Sequence, residues 1–182
     1  MITRANKNVT PVLRVLVVED DENDALLLKT AFEDAGIKAS VHLVCDGREA
    51  VDYLQLVSPF GRRTSCPLPN LLIVDLKLPR MDGWELLKWL RKQPGLKDVF
   101  VAVLSGSCCE EDFDRAYACG ADLCLSKPLR YAKMSALVRH LIKDWSRHMA
   151  SVPVANPPFA RELPDRSHSG FSDRQAGEPS GR

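Results

Sequence analysis

Four positions along the chain carry side chains that could do chemistry, and each comes at the end of a short apolar run. Glu19 and Asp20 follow LRVLVV, and Asp75 follows LLIV. Ser105 follows VFVAVL, and Lys127 follows LCLS. Apolar runs of this length between polar residues are typical of buried parallel strands. Because ligands of an open α/β sheet bind outside the carboxyl ends of its strands, we expect these side chains to meet on one rim, which could hold a divalent cation beside a phosphoryl group.

The acids on this rim predict a metal site. Glu19, Asp20 and Asp75 would repel one another, since two unit charges about 4 Å apart interact by about 4 kcal/mol at an effective dielectric of roughly 20. A small, hard cation relieves that repulsion, and Mg²⁺ suits one or two carboxylates together with a carbonyl, waters and a phosphoryl oxygen. Taken singly, each acid reads as an ordinary polar residue after a strand, so the prediction depends on the positions jointly.

Asp75 stands alone after an otherwise apolar strand, which favours a carboxylate nucleophile. Its attack on phosphorus would give an acyl phosphate, and a bound cation would offset the charge. Lys127 is a point cation suited to a phosphoryl oxygen, and Ser105 can donate a hydrogen bond to another. Pro128 would aim the lysine inward if its peptide bond were cis.

Five apolar runs alternate with five amphipathic segments. Strands are predicted at residues 13–18, 39–44, 71–75, 99–104 and 122–126, and helices at 22–35, 46–56, 82–92, 107–119 and up to about 148. Capping boxes that start at Asp46, Asp82 and Ser107 open the second, third and fourth helices. The alternation predicts a doubly wound parallel α/β sheet. The strand order 2-1-3-4-5 places the first and third strands, and therefore their acids, side by side.

The composition restricts the class of protein. The 182 residues carry a formal net charge of +1 and are 45% hydrophobic, which supports a folded core and gives no electrostatic case for a nucleic-acid partner. No apolar stretch approaches the ~20 residues that cross a bilayer, and the N-terminus lacks the apolar core of a signal peptide, so we expect a cytoplasmic protein with no membrane partner. The six cysteines form no C-x-x-C pair, which argues against a zinc site.

The chain divides into three parts. Residues 12–148 carry the alternating elements and predict one domain. We expect residues 1–11 to be a flexible N-terminal segment. Residues 149–182 are rich in Pro, Ser, Gly and Arg and poor in aliphatic residues, which predicts a disordered tail without room for a folded effector.

The motifs VLVVEDD, VDLKLPRMDG, VLSGS and LSKP, in this order, resemble those of CheY-like receiver domains of two-component response regulators. The resemblance implies a flavodoxin-like (βα)5 fold, which is a three-layer sandwich. It implies that Asp75 is the phospho-acceptor, with Ser105 as the switch hydroxyl and Lys127 as the phosphate-binding lysine. The implied Mg²⁺ ligands are Glu19, Asp20, Asp75 and the backbone carbonyl of Lys77.

The same resemblance implies a place in a phosphorelay. The donor would be a sensor histidine kinase or a phosphotransfer protein, and the only catalysis would be self-catalysed phosphoryl uptake and slow autodephosphorylation. The long loop before the third strand, with PLPN at residues 67–70, and DWSR in the last helix are similar to stand-alone receivers that partner phytochrome-type kinases. Output would be a contact with a downstream protein. The apolar residues of the last helix could also form a homodimer contact, although core packing explains most of them.

Two positions, Cys124 and Lys77, bear on the alternative functions that the sequence leaves open. Cys124 stands where family members often carry Tyr or Phe, which keeps open a phosphorylation-independent adaptor, although the acid, hydroxyl and lysine set argues against it. Lys77 stands where an aspartyl-phosphate phosphohydrolase of similar fold places a second Asp, which argues against turnover. An FMN-binding electron carrier would need a phosphate-cradling loop after the first strand, whereas residues 19–21 are acidic.

Overall fold

The structure, a computed structural model, describes residues 12–57, 68–106, 109–128 and 130–151. Its elements in chain order are β1 (Leu13–Val18), α1 (Glu22–Asp34), β2 (Ala39–Val44), α2 (Gly47–Val57), β3 (Leu71–Val74), α3 (Gly83–Arg91), β4 (Phe100–Ser105), α4 (Glu110–Ala118), β5 (Leu123–Ser126) and α5 (Met134–Ser151), with 3₁₀ turns at Pro94–Leu96 and Tyr131–Lys133. Segment 1–11, most of loop 57–69, Ser107 and the tail from 152 lie outside the described residues. What the sequence predicts for them therefore stays a prediction.

The five strands form one parallel sheet in the order β2-β1-β3-β4-β5, which confirms the predicted topology. Val18 at the end of β1 pairs with Val74 at the end of β3, so Glu19 and Asp75 leave the sheet at the same level. The backbone N–H of Asp75 donates to the Val18 carbonyl at 3.0 Å and extends the ladder by one residue. The register therefore aligns the strand ends that carry the acids.

Apolar side chains cover both faces of the sheet, as expected for parallel strands buried on two sides. Along β1, Leu16 and Val18 belong to the core layer shared with α2, α3 and α4. Val15 and Val17 belong to the layer shared with α1 and α5. The two layers give the predicted sandwich and fix the sheet between its helices.

The helix starts agree with the prediction at α3 and differ from it at α4. Asp82 and Glu85 form the expected reciprocal capping box at α3. The predicted start of α4 at residue 107 is wrong, because α4 begins only at Glu110, and its N-cap, Cys109, makes no side-chain cap bond. The first turn of α4 instead carries three acidic side chains, which offset the positive end of the helix dipole: Glu110, Glu111 and Asp112.

The last helix extends three residues beyond the predicted end at 148. Trp145 is buried, and its indole N–H donates to the Asn70 carbonyl at 3.1 Å, which ties the C-terminal half of α5 to the start of β3. Met149 packs on the same core layer. Among the described residues, no helix is both long and apolar enough to span a membrane.

Candidate functional site

Lys127 connects the ends of β1, β3 and β5. Its Nζ donates to Glu19 Oε2 at 2.6 Å and to Asp75 Oδ2 at 2.5 Å. The structure thus brings together three of the side chains predicted from the sequence. The Lys127–Pro128 peptide bond is trans, so the cis bond considered for it is wrong, and the lysine reaches the acids without one.

The backbone explains where the lysine side chain starts. Ser105 pairs with Ser126 in the register of β4 and β5, and the N–H of Lys127 donates to the Ser105 carbonyl at 2.8 Å. Lys127 is therefore the first residue beyond the last paired position of β5. Ser105 is 1% exposed and lies on the same rim, at the end of β4.

Asp24 is a neighbour of this site that the sequence did not predict. It lies in the first turn of α1, and its Oδ2 accepts a hydrogen bond from Lys127 Nζ at 3.0 Å. The available signal was its position four residues after Asp20, on the helix that opens directly after the acidic pair. One ammonium group therefore faces three carboxylates, which leaves an excess of negative charge when all three are ionised.

Burial and pairing set the protonation of this cluster. The side chains of Glu19, Asp75 and Lys127 are 3%, 11% and 14% exposed. Burial raises the pKa of Glu19 above its ordinary value, although its hydrogen bond with Lys127 acts to lower it. Burial acts to lower the pKa of Lys127, but its hydrogen bonds to Asp75 and Glu19 outweigh burial and raise that pKa. The lysine is consequently charged at any physiological pH.

The predicted metal ligands are only partly assembled. Asp20 is exposed, whereas its neighbour Glu19 is buried. Over the described ranges of the chain, no group of three His, Cys, Asp or Glu side chains is placed so that it could hold a metal ion. Lys127 Nζ lies between Glu19 and Asp75, 2.6 Å from Oε2 of the first and 2.5 Å from Oδ2 of the second. The donor set nevertheless fits a hard divalent cation, because its oxygens are carboxylates in excess of the local positive charge.

The loop after β3 is held closely against its surroundings. The backbone N–H of Lys77 donates to Asp75 Oδ1 at 2.9 Å, an Asx-turn bond that orients the carboxylate. A Cβ on Gly83 would lie 2.4 Å from the Asp75 carbonyl oxygen, so only glycine allows this approach. Arg80 has a left-handed backbone, with φ of 62°, and its guanidinium pairs with the fully buried Asp46. These contacts fix the segment that carries Asp75 and Lys77.

Cys124 occupies a buried position on β5. Its Sγ lies 3.9 Å from the Phe113 carbonyl, and burial raises the pKa of the thiol to about 11. Its backbone N–H donates to the hydroxyl of Tyr117 on α4 at 3.1 Å. An aromatic side chain therefore reaches this part of the molecule from α4 rather than from β5.

Comparison with known proteins identifies the family. The sequence profile described as the response regulator receiver domain matches residues 15–139. The probable methanogenesis regulatory protein FilR2 of Methanothrix harundinacea is 34% identical over 131 residues, which cover 72% of this chain and 82% of FilR2. Response regulator Rcp1 of Synechocystis sp. is 30% identical over 131 residues, which cover 72% of this chain and 87% of Rcp1.

Solved structures agree with the sequence matches. Phosphorylated RcpA, a cyanobacterial phytochrome response regulator, superposes with a TM-score of 0.66 at 29% identity and covers 74% of this chain and 94% of its own. The Mn²⁺-bound form of Rcp1 gives a TM-score of 0.64 at 28% identity and covers 78% of this chain and 97% of its own. Together with the parallel sheet and the meeting of Glu19, Asp75 and Lys127, these matches show that the chain belongs to the response regulator receiver domain family of two-component systems.

Proposed function

We propose that this receiver domain accepts a phosphoryl group on Asp75 from a phosphohistidine of a sensor histidine kinase or a phosphotransfer protein, and then signals through protein contacts. The observation that carries the proposal is the position of the Lys127 ammonium group, 2.5 Å from Asp75 Oδ2 and 2.6 Å from Glu19 Oε2. A carboxylate that is fixed beside a cation at the carboxyl ends of parallel strands is well placed to act as the nucleophile that attacks a phosphoryl group.

The transfer step uses residues of the rim. An Asp75 oxygen attacks phosphorus in line, the new O–P bond forms as the N–P bond to the donor histidine breaks, and the imidazole nitrogen keeps the electron pair. The Asp75 oxygen loses its negative charge when the acyl phosphate forms, so Lys127 moves its hydrogen bond to a phosphoryl oxygen. Ser105 donates its hydroxyl hydrogen to another phosphoryl oxygen.

Mg²⁺ is the proposed cofactor. Its ligands would be Glu19, Asp20, Asp75 and the backbone carbonyl of Lys77, and when bound it supplies positive charge to the phosphoryl oxygens and the attacking carboxylate. The excess of carboxylates over cations at the rim supports this assignment, as does the Mn²⁺-bound form of Rcp1. Since Lys127 already pairs with two of these carboxylates, the lysine and the divalent cation compete for them.

The proposed donor is a phytochrome-type histidine kinase, on the basis of the likeness to RcpA. The proposed compartment is the cytoplasm, because a histidine kinase takes its phosphoryl group from ATP, which is found there. Self-catalysed phosphoryl uptake and slow autodephosphorylation are the only chemistry proposed, since Lys77 stands where a general acid would be needed for turnover. The proposed output is a contact with a downstream protein.

Intact-mass measurement tests the proposal. After incubation with acetyl phosphate and Mg²⁺, we expect a gain of one phosphoryl group in the wild type and none in Asp75→Asn. Asp52→Asn is the matched control, because Asp52 is an exposed aspartate on α2 that pairs only with Arg48 among the described contacts. This variant should gain the group as the wild type does.

Two outcomes would contradict the proposal. Failure to gain the group from either acetyl phosphate or a histidine kinase would favour the phosphorylation-independent adaptor. A gain that persists in Asp75→Asn would place the acceptor at another residue.

A further inference from the structure

Asp24 contacts the site but belongs to none of the predicted ligand or acceptor sets. Its side chain is 42% exposed, far more than those of Glu19 and Asp75. Its Oδ2 nevertheless lies 3.0 Å from Lys127 Nζ, so it holds the lysine from the solvent side of the cluster. The lysine can therefore stay paired with a carboxylate that is neither the acceptor nor a proposed metal ligand.

The bonds that Lys127 makes to Glu19 and Asp75 are incompatible with a divalent cation at the same oxygens. Mg²⁺ binds its oxygen ligands at about 2.0–2.1 Å. An ammonium nitrogen 2.5 Å from Asp75 Oδ2 and 2.6 Å from Glu19 Oε2 would then lie within a few Å of the metal. Like charges at that distance repel strongly in a partly buried site. The lysine must therefore give up at least one of these two carboxylates when the cation binds.

We propose that Asp24 is a positioning residue that retains Lys127 when a divalent cation takes Glu19 and Asp75. The inference rests on the proposed function and adds a regulator of cation affinity to it. With Asp24 present, the displaced ammonium group keeps a paired carboxylate at the rim and stays close to the phosphoryl position. Without Asp24, Glu19 and Asp75 are the only carboxylate partners of the lysine among the described contacts, and the cation must compete against both bonds.

A double-mutant cycle, measured by Mn²⁺ binding, shows whether Asp24 acts through Lys127 or attracts the cation directly. Free Mn²⁺ is measured by electron paramagnetic resonance as the metal is titrated into the wild type, Asp24→Asn, Lys127→Met and the double variant. We expect Asp24→Asn to raise the Mn²⁺ Kd about fivefold, which corresponds to about 1 kcal/mol and is typical of contacting charged residues. In the Lys127→Met background, we expect the same substitution to change the Kd by less than about twofold.

Two further variants complete the design. Glu22→Gln removes an exposed acid from the same first turn of α1, and no described contact joins Glu22 to Lys127, so its Kd should match the wild type within about twofold. Asp24→Glu keeps the carboxylate and should restore at least part of the affinity. Urea unfolding of each variant shows whether the fold is retained, and a loss of stability with an unchanged Kd would overturn the proposal.

The remaining outcomes are also decisive. An equal effect of Asp24→Asn with and without Lys127 would show that Asp24 attracts the cation directly, and the proposal would be wrong. A wild-type protein that binds no Mn²⁺ would overturn the metal part of the proposed function and this inference with it. Normal Mn²⁺ binding and phosphoryl uptake without coupling between residues 24 and 127 would overturn the inference alone.

Discussion

At the scale of single residues, Lys127 controls how pH acts on the rim. Burial raises the pKa of Glu19, so the folded protein holds the Glu19 proton more tightly than the unfolded chain does. The contribution of Glu19 to stability is therefore fully present below its ordinary pKa of 4.5 and is lost as the pH rises through the raised value. The hydrogen bond and charge of Lys127 act against this rise and limit the loss.

Replacing Lys127 with methionine should make stability more sensitive to pH. The pKa of Glu19 rises further, and three carboxylates lose their shared cation, so we expect the free energy of unfolding at pH 7 to fall by about 3 kcal/mol. The deficit should shrink at pH 5, because the folded state takes up protons there. Urea unfolding at both pH values checks this, with exposed Lys29→Met as the matched control. A deficit that is as large at pH 5 as at pH 7 would show that carboxylate repulsion is not the cause.

The sequence sufficed to locate Glu19, Asp75 and Lys127, because each follows a buried strand and the ends of parallel strands align. It did not predict that Glu19 is buried and Asp20 is exposed. The two differ because successive side chains at the end of a strand point to opposite sides. It also missed Asp24, since that contact joins residues 103 apart in the chain and depends on the rotation of α1 about its axis.

At the scale of elements, the loop between β3 and α3 combines a strained backbone with an ion pair between exposed Arg80 and buried Asp46. Arg80 is the described non-glycine residue with a positive φ, which costs roughly 1–2 kcal/mol. Its partner Asp46 has a side chain that is 0% exposed and also accepts the Glu49 N–H at 2.8 Å at the start of α2. The ion pair thus joins the loop that carries Lys77 to α2 and offsets the backbone strain. A left-handed arginine gives no signal in the sequence.

Glycine and alanine at position 80 should differ in a way that measures this strain. Both substitutions leave buried Asp46 without its cation, and we expect Arg80→Ala to lower the free energy of unfolding by about 2 kcal/mol, since solvent screens the exposed arginine but Asp46 is buried. Arg80→Gly should lose about 1 kcal/mol less, because glycine adopts a positive φ without the clash of a Cβ. Adding Asp46→Asn should recover part of the loss in both. Equal losses for the two variants in urea unfolding would rule out backbone strain at this position.

At the scale of the whole molecule, the two ends of the strands have different roles. The acids and the lysine lie at the carboxyl ends, whereas Arg91 at the end of α3 makes contacts at the amino ends. Arg91 donates to the carbonyls of Gly120 and Val99 at 2.8 and 3.1 Å and to Asp122 Oδ2 at 2.7 Å. Gly120 has φ of 104°, and a Cβ there would lie 2.6 Å from the Arg91 side chain. The contacts tie α3 to the α4–β5 turn and the start of β4.

Removal of the Arg91 side chain should therefore affect stability without affecting the chemistry. We expect Arg91→Ala to lower the free energy of unfolding by about 3 kcal/mol, because Asp122 loses its cation and the carbonyls that Arg91 contacts lose this donor. The rate of phosphoryl uptake from acetyl phosphate should match the wild type at a temperature where the variant is folded. Exposed Arg139→Ala is the control and should change neither quantity. A slower uptake in folded Arg91→Ala would show that the two ends of the strands are coupled.

The central claim, that Asp75 is the residue that becomes an acyl phosphate, is tested most directly by reductive trapping. Borohydride reduces an aspartyl phosphate to homoserine, which peptide mass spectrometry locates in the chain. After treatment with acetyl phosphate and Mg²⁺, the account predicts homoserine at position 75 in the wild type and none when the metal is chelated. Homoserine at Asp20 or Asp24 instead, or its absence from position 75 in protein that carries the phosphoryl group, would contradict the account.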